Sequence, residues 1–436
     1  MKPALRRIDR DERTLQFGAH PERARMLTDL TPPVRRWIDG LDGTRDLARV
    51  LRDAASAGLH QDSARFLLDQ LARQGLLHDA SGAPIRLPLA ELDRLGPDLD
   101  AMDLASSIPG GGRETLRQRS QAHVRVYGAG RVGAQVVGLL AAAGVGTIRV
   151  IDPEPARPQD LTPGGLTWAE LGMSRQDGAV ALARRATSPP ASPTAGAQAG
   201  GVPAEGVPRA RRVPTGDVSP ARSVPQAGSA PKAAGAPGTA RSAKAAGSAG
   251  AAKARGRGPE LQGFQQATVD ARAGGPHLSD GWQRPDLVIL TPVLPLDGVL
   301  VNELTELGIP HLLASAFEGH GSVGPLVLPG RTACLHCLDL TRRDRDPGWP
   351  IVTARLGGYP PGEIACDAVL ATMVAAAVTG HALARLDGRE SAVTNGTMDV
   401  FPDWHWKRRS WAIHPQCRCM RNNPYPLTMV MSATCD

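Results

Sequence analysis

The stretch Gly128-Ala129-Gly130-Arg131-Val132-Gly133 constrains the fold of this chain more than any other. Before it, His123–Tyr127 (HVRVY) is a short β-type run. After it, Val136, Val137, Leu139, Leu140 and Ala143 recur at helical spacing. Gly144-Val145-Gly146 breaks that helix, and Thr147–Ile151 (TIRVI) is a second strand running into Asp152. In such a unit the glycines permit a tight turn and let a phosphate approach a helix N-terminus. Asp152 lies 22 residues beyond Gly130, within the spacing at which a carboxylate meets a ribose hydroxyl. The pattern predicts a Rossmann-like α/β fold with nucleotide held by Gly128, Gly130, Gly133 and Asp152. Alone, it does not separate NAD from ATP.

With 436 residues the chain has room for two or three domains. Its net charge of +7 suggests an anionic partner until the charge is located. Residues 186–258 are almost entirely Ala, Gly, Pro, Ser and Thr, with ten Lys or Arg against Glu205 and Asp217. That segment alone carries +8 and leaves the remainder at −1. It has no helical or strand period and no aromatic residue, so it is expected to be a disordered insertion. It reads as a solvated insertion with no role of its own, or as an electrostatic tether for nucleic acid or an acidic partner. The nearly apolar runs Val136–Gly146 and Ala368–Val378 fall short of the ~20 residues of a membrane span. No signal peptide is visible in the charged N-terminal sequence, and a cytoplasmic protein is expected.

Six cysteines are too few for a disulfide scaffold, but four of them are paired in sequence. Cys334-Leu-His-Cys337 and Cys417-Arg-Cys419 lie 80 residues apart and suit a structural tetrahedral zinc, with His336 and His414 as substitute ligands.

Residues 1–90 read as a separate small α+β unit. Thr14–Gly18 is extended. Val34, Trp37, Ile38 and Leu41 mark a first helix. A second helix follows the Asp42-Gly43-Thr44 turn with Leu47, Val50 and Leu51 inward. A third, from about Gln61 to Gln74, places Phe66, Leu67 and Leu71 on one face. Three short helices with flanking strands suggest a winged helix. The unit has 15 basic against 12 acidic residues, and its third helix alternates Asp62, Arg65, Asp69 and Arg73, which argues against a nucleic-acid face. The text TLQFG, LDGTRDLARVL and LLDQLARQGLL resembles the PqqD-like recognition element of peptide-modifying enzymes. That resemblance implies capture of a precursor's leader peptide as an added strand.

The remainder resembles the ThiF/MoeB family of ubiquitin-activating-type adenylyltransferases. The resemblance is carried by VRVYGAGRVGAQVVGLLAAAGVGTIRVIDPE, ELGMSRQDGAVALARR, GHGSVGPLVLPGRTACLHC, ACDAVLATMVAAAVTGHAL and the final CRC. It implies an eight-stranded mixed sheet with a zinc module, ATP as co-substrate with magnesium, and adenylation of a peptide or ubiquitin-like carboxylate. A homodimer is implied as well. By resemblance Arg175 stands where the family has a phosphate-facing Lys. Cys366, heading a later helix, stands where sulfur-transferring members carry a reactive cysteine; its own setting better suits a small buried core residue. Two departures bear on catalysis. Gln159–Gly165 has no Arg where the family has a phosphate-contacting one. After the strand Asp286–Leu290 the text is Thr291-Pro292-Val293, without the family's magnesium-binding Asp, and Asp297 arrives late.

The organisation read from these features is a winged-helix-like peptide-recognition domain at 1–90, a connector at 91–120, and the first part of the ThiF-like domain at 121–185. The insertion at 186–258, the second part with the zinc module at 259–421 and a tail at 422–436 complete it. Two functions stand side by side: an ATP-dependent adenylyltransferase, and a catalytically eroded scaffold presenting a leader peptide to a YcaO-type partner. A third reading, an NAD-dependent oxidoreductase, lacks an evident acid–base pair.

Overall fold

The computed structural model describes residues 1–79, 87–187, 269–278, 283–292, 296–355 and 365–420. The insertion at 186–258 lies outside these residues except for Ala186 and Thr187, which end a helix, and the tail at 422–436 lies outside them entirely.

The chain opens with a small antiparallel sheet, β1 (Arg7–Asp11), β2 (Thr14–Phe17) and β3 (Arg25–Leu27), in the order β1-β2-β3. Strand alternation decides its inner face: Leu15 and Phe17 are buried while Thr14 and Gln16 are half-buried. Helices α1 (Pro32–Asp39), α2 (Leu47–Ser56) and α3 (Gln61–Arg73) close over it. Trp37 and Ile38 are buried, and the Trp37 indole donates to the Val50 carbonyl at 2.8 Å. Two inward assignments are corrected. Leu47 is 63% and Phe66 62% exposed, and Ala64 and Leu68 take the inward places beside Leu71. The cap of α2 is Asp46, which accepts from the Arg49 amide at 2.7 Å; Asp42 instead closes the preceding turn on Thr44.

The stretch read as a connector is two helices, α4 (Leu89–Ala105) and α5 (Gly111–Gln121), sharing the buried cluster Leu95, Met102 and Leu116. Arg119 of α5 is tied to the main body by a bidentate pair with Asp387, 2.7 Å at both oxygens.

The main body then runs β4 (His123–Tyr127), α6 (Gly133–Ala142), β5 (Thr147–Ile151), α7 (Arg175–Thr187), β6 (Asp270–Ala273), β7 (Leu287–Leu290), α8 (Gly298–Glu306), β8 (His311–Phe317) and β9 (His320–Val327). It ends with α9 (Leu335–Arg345), α10 (Trp349–Arg355), α11 (Ala368–Leu386), β10 (Gly396–Val400) and β11 (Trp406–Ser410). Its strands form one eight-stranded mixed sheet, β6-β5-β4-β7-β8-β9-β10-β11. The first five are parallel and the last three join antiparallel. All four residues of β7 are buried, as a central strand covered on both faces requires. On one face Val124, Val126, Ile148, Val150, Leu287 and Ile289 pack with α6, α7 and α11. On the other, Val288 and Leu290 pack with α8 and α9.

Among the described residues α11 is the one helix long and apolar enough to cross a membrane, and it is longer than the run Ala368–Val378 suggested. Its Leu370, Ala371, Val374, Ala375, Val378 and Ala382 are buried in the core against the sheet. The segment Asp344–Pro350 is the junction of α9 and α10. Near the C-terminus Trp411 is buried and its indole donates to the Thr397 hydroxyl at 3.2 Å, Trp406 packs against the core, and Trp404 is exposed.

Candidate functional site

The parallel strands reverse their order between β4 and β7, so their C-terminal ends diverge and leave a crevice. A cleft of about 570 Å³ opens there, within the size range of a small-molecule site. Its floor is the glycine loop, and the three glycines are required for three different reasons. Gly128 has φ +93°, and a Cβ on it would stand 2.4 Å from the Thr291 carbonyl oxygen. A Cβ on Gly133 would fall 1.9 Å from the Gly128 carbonyl, so only glycine lets α6 start this close to the loop. Gly130 faces the cleft, and its nearest neighbour at the Cβ position is Asp160 Oδ1 at 3.8 Å. Thr291, at the end of β7, clamps the loop: its amide donates to the Tyr127 carbonyl and its hydroxyl to the Gly128 carbonyl, both 2.8 Å.

Asp152, at the end of β5, is brought to the same cleft and is already bonded. Its Oδ2 accepts from the Ala129 amide at 2.7 Å. Arg175, the first residue of α7, donates Nε and Nη2 to its two oxygens at 2.9 Å each. Burial works against the Arg175 charge, but the bonds and charges of Asp152 and Asp160 outweigh it and raise the guanidinium above its ordinary pKa. The two residues predicted for ribose and phosphate thus meet each other.

Asp160 and Arg131 line this cleft as well and were not singled out from sequence. Asp160 is 1% exposed. Its Oδ2 accepts from the Arg157 amide at 2.9 Å and stands 3.6 Å from Arg175 Nη1, while its Oδ1 is buried with no hydrogen-bond partner among the described residues. Arg131 donates Nη1 to the carbonyls of Gln159 and Leu161 at 2.7 and 3.1 Å, which fastens the glycine loop to the segment after β5. The signal that could have found Asp160 was its place in that same departing segment.

Cys366 does not line the cleft. It is 7% exposed within the main core cluster, one residue before Asp367, which caps α11 through the Val369 and Leu370 amides. Burial pushes its thiol up, opposite in sign to the effect expected of a helix N-terminus, and the nearby Arg131 charge offsets this only in part.

The four remaining described cysteines converge. Cys334 caps α9, Cys337 lies in its first turn, and Cys417 and Cys419 follow β11. The four sulfurs lie within 4.8 Å of one another, with Cys334–Cys337 at 3.7 Å and Cys334–Cys417 and Cys337–Cys419 at 3.6 Å. Sulfurs arranged tetrahedrally ~2.3 Å from zinc stand about 3.8 Å apart, so the cluster fits such an ion. Hydrogen bonding with Cys337 pushes Cys334 up to about 12, and the same bond from the other side holds Cys337 low. The histidines are not part of it: His414 bonds Asp344 at 2.8 Å, and His336 points to an exposed face of α9.

No family model matches the chain, and neither does any curated protein sequence. Solved structures do. E. coli MccB with MccA-N7isoASN superposes with a TM-score of 0.60 at 11% identity, covering 97% of this chain and 99% of that one. PaaA gives 0.58 at 14% identity, covering 94% and 99%. The microcin C7 biosynthetic enzyme MccB with N-formylated MccA gives 0.59 at 11% identity, covering 96% and 98%. At these identities the likeness is one of fold, and it extends over nearly the whole length of each chain: this protein has the MccB and PaaA fold.

Proposed function

We propose that this protein binds ATP in the cleft between β4 and β7 and activates the carboxylate of a peptide or ubiquitin-like protein by adenylation. It belongs on this reading to the ThiF/MoeB superfamily. The observation that carries it is the convergence of the glycine loop, Asp152 and Arg175 at the point where the sheet reverses. MccB, which shares the fold, has been solved with ATP and with MccA. In the reaction a carboxylate oxygen bonds to the α-phosphorus and pyrophosphate leaves. The chain's share is to seat the phosphates on the loop amides, orient the ribose through Asp152 and meet developing charge with Arg175 and Arg131. Zinc on Cys334, Cys337, Cys417 and Cys419 would pin the C-terminal strands to α9 as a structural element.

The N-terminal unit serves, on this reading, as the peptide-recognition element. Among the described residues strand β3 pairs on one side only, with β2, and Met26 on it is more than half exposed. Such an edge accepts an added strand. A cytoplasmic homodimer completes the proposal.

One observation favours a second reading, a scaffold that presents a leader peptide to a YcaO-type partner without adenylating it. Arg175 is held by Asp152, and Gln159–Gly165 offers no arginine in its place. Equilibrium dialysis of the full chain against ATP with magnesium tests the shared premise. Saturable binding is expected, and its loss in Gly130→Asp. A chain that takes up no ATP, yet binds leader peptide, would leave the scaffold alone.

A further inference from the structure

The charge lining the cleft does not suit a naked triphosphate. Asp152, Glu154, Asp160 and Asp297 supply four carboxylates and Arg131 and Arg175 two guanidiniums, a net −2. Arg175 and Asp152 neutralise each other, and Arg131 faces two backbone carbonyls. A polyphosphate approaching alone meets repulsion from the carboxylates that remain.

Asp160 is the most informative of these groups. The donors around it, the Arg157 amide and side chain and the Arg175 guanidinium, all face Oδ2. Oδ1 is buried, accepts nothing from the described residues, and lies 3.8 Å from the place a Cβ on Gly130 would occupy. It is therefore aimed at the loop where a nucleotide's phosphates would rest. A buried carboxylate oxygen without a donor is costly, and such a group calls for a ligand. Phosphate oxygens cannot supply it, being acceptors themselves, but a cation can. Magnesium is held in nucleotide sites by one or two carboxylates together with the substrate's phosphates.

We infer that Asp160 is a protein ligand for a divalent cation shared with the phosphates of a bound nucleoside triphosphate. The inference rests on the nucleotide reading above. It moves the cation-holding carboxylate from the strand end at β7, where Thr291 uses its hydroxyl to clamp the glycine loop, to the segment after β5.

The test is Mn²⁺ uptake by the full-length, zinc-loaded chain, read by the electron paramagnetic resonance of free Mn²⁺, with and without a non-hydrolysable ATP analogue. Thiolates disfavour Mn²⁺, so the cysteine cluster does not compete. Wild type is expected to take up Mn²⁺, more tightly with the analogue, and Asp160→Asn to lose at least roughly tenfold in affinity. With no divalent cation added, the same variant should bind the analogue better than wild type does, a gain that an unfolded variant cannot show. Mn²⁺ affinity in Asp160→Asn within about twofold of wild type, or no uptake by wild type, would overturn the inference. Uptake that depends on Asp160 but ignores the analogue would uphold the cation site and overturn the nucleotide reading instead.

Discussion

Arg175 holds Asp152 by both carboxylate oxygens, 2.9 Å from Nε and 2.9 Å from Nη2, across the mouth of the glycine loop. The pair joins the start of α7 to the end of β5, and through Asp152 Oδ2 it reaches the Ala129 amide within the loop. One contact thereby sets the loop, the strand end and the helix N-terminus, and it fixes what an incoming nucleotide must share or displace.

Removing the carboxylate should cost the fold as well as the site. Asp152→Ala leaves the 15% exposed Arg175 side chain with the longer 3.6 Å pair to Asp160 and strips the Ala129 amide of its acceptor. A loss of about 3 kcal/mol is expected in urea denaturation, the cost of breaking a mostly buried pair. A loss below about 1 kcal/mol would mean the pair is as weak as a surface one.

Two glycines of one motif should behave oppositely. Gly133→Ala drives a methyl to 1.9 Å from the Gly128 carbonyl and should destabilise by more than about 2 kcal/mol, since backbone must move. Gly130→Ala meets nothing closer than 3.8 Å and should fold normally while weakening ATP binding, because its methyl faces the cleft. Thermal melts and ATP titrations of both variants check this; equal melting losses would contradict it.

Acid should act through His311. It is fully buried, its Nδ1 proton goes to the Ile309 carbonyl at 2.9 Å, and burial lowers its pKa from 6.5 to about 4. The unfolded chain takes up this proton below pH 6.5 while the folded chain resists until about 4. The stability contributed is therefore present above 6.5 and falls away as pH drops toward 4. The whole span amounts to about 3 kcal/mol. In His311→Leu that part of the pH slope should vanish; parallel slopes in the two proteins would refute it.

The cysteine cluster should hold one zinc ion per chain and stabilise the C-terminal strands. Chelation, or Cys337→Ser, is expected to release the metal and lower the melting temperature. A metal-free preparation that melts with the wild type would rule the site out.

The glycine loop, both its strands and the paired cysteines were legible because each is a local pattern: close backbone approach demands glycine, and a tetrahedral ion demands two short thiol pairs. The eight-stranded sheet followed from the family resemblance rather than from spacing. Burial was less legible. Leu47 and Phe66 sit at helical spacing with true core residues, yet packing selected Ala64 and Leu68 for the inner face of α3. Cys366 occupies the position expected before α11, but its protonation is set by core burial, which no local motif announces. Asp160 reaches the cleft only because the segment after β5 folds back under Arg131 and Arg157, a tertiary arrangement that spacing does not encode.

On the proposed function, the cleft turns ATP and a carboxylate into an adenylate. Its most direct test is ATP–pyrophosphate exchange by the full-length protein with magnesium and candidate peptides bearing a free carboxylate. Exchange that needs the peptide and is abolished in Gly130→Asp is expected. Exchange no greater in the wild type than in Gly130→Asp, with every peptide that binds, would contradict it.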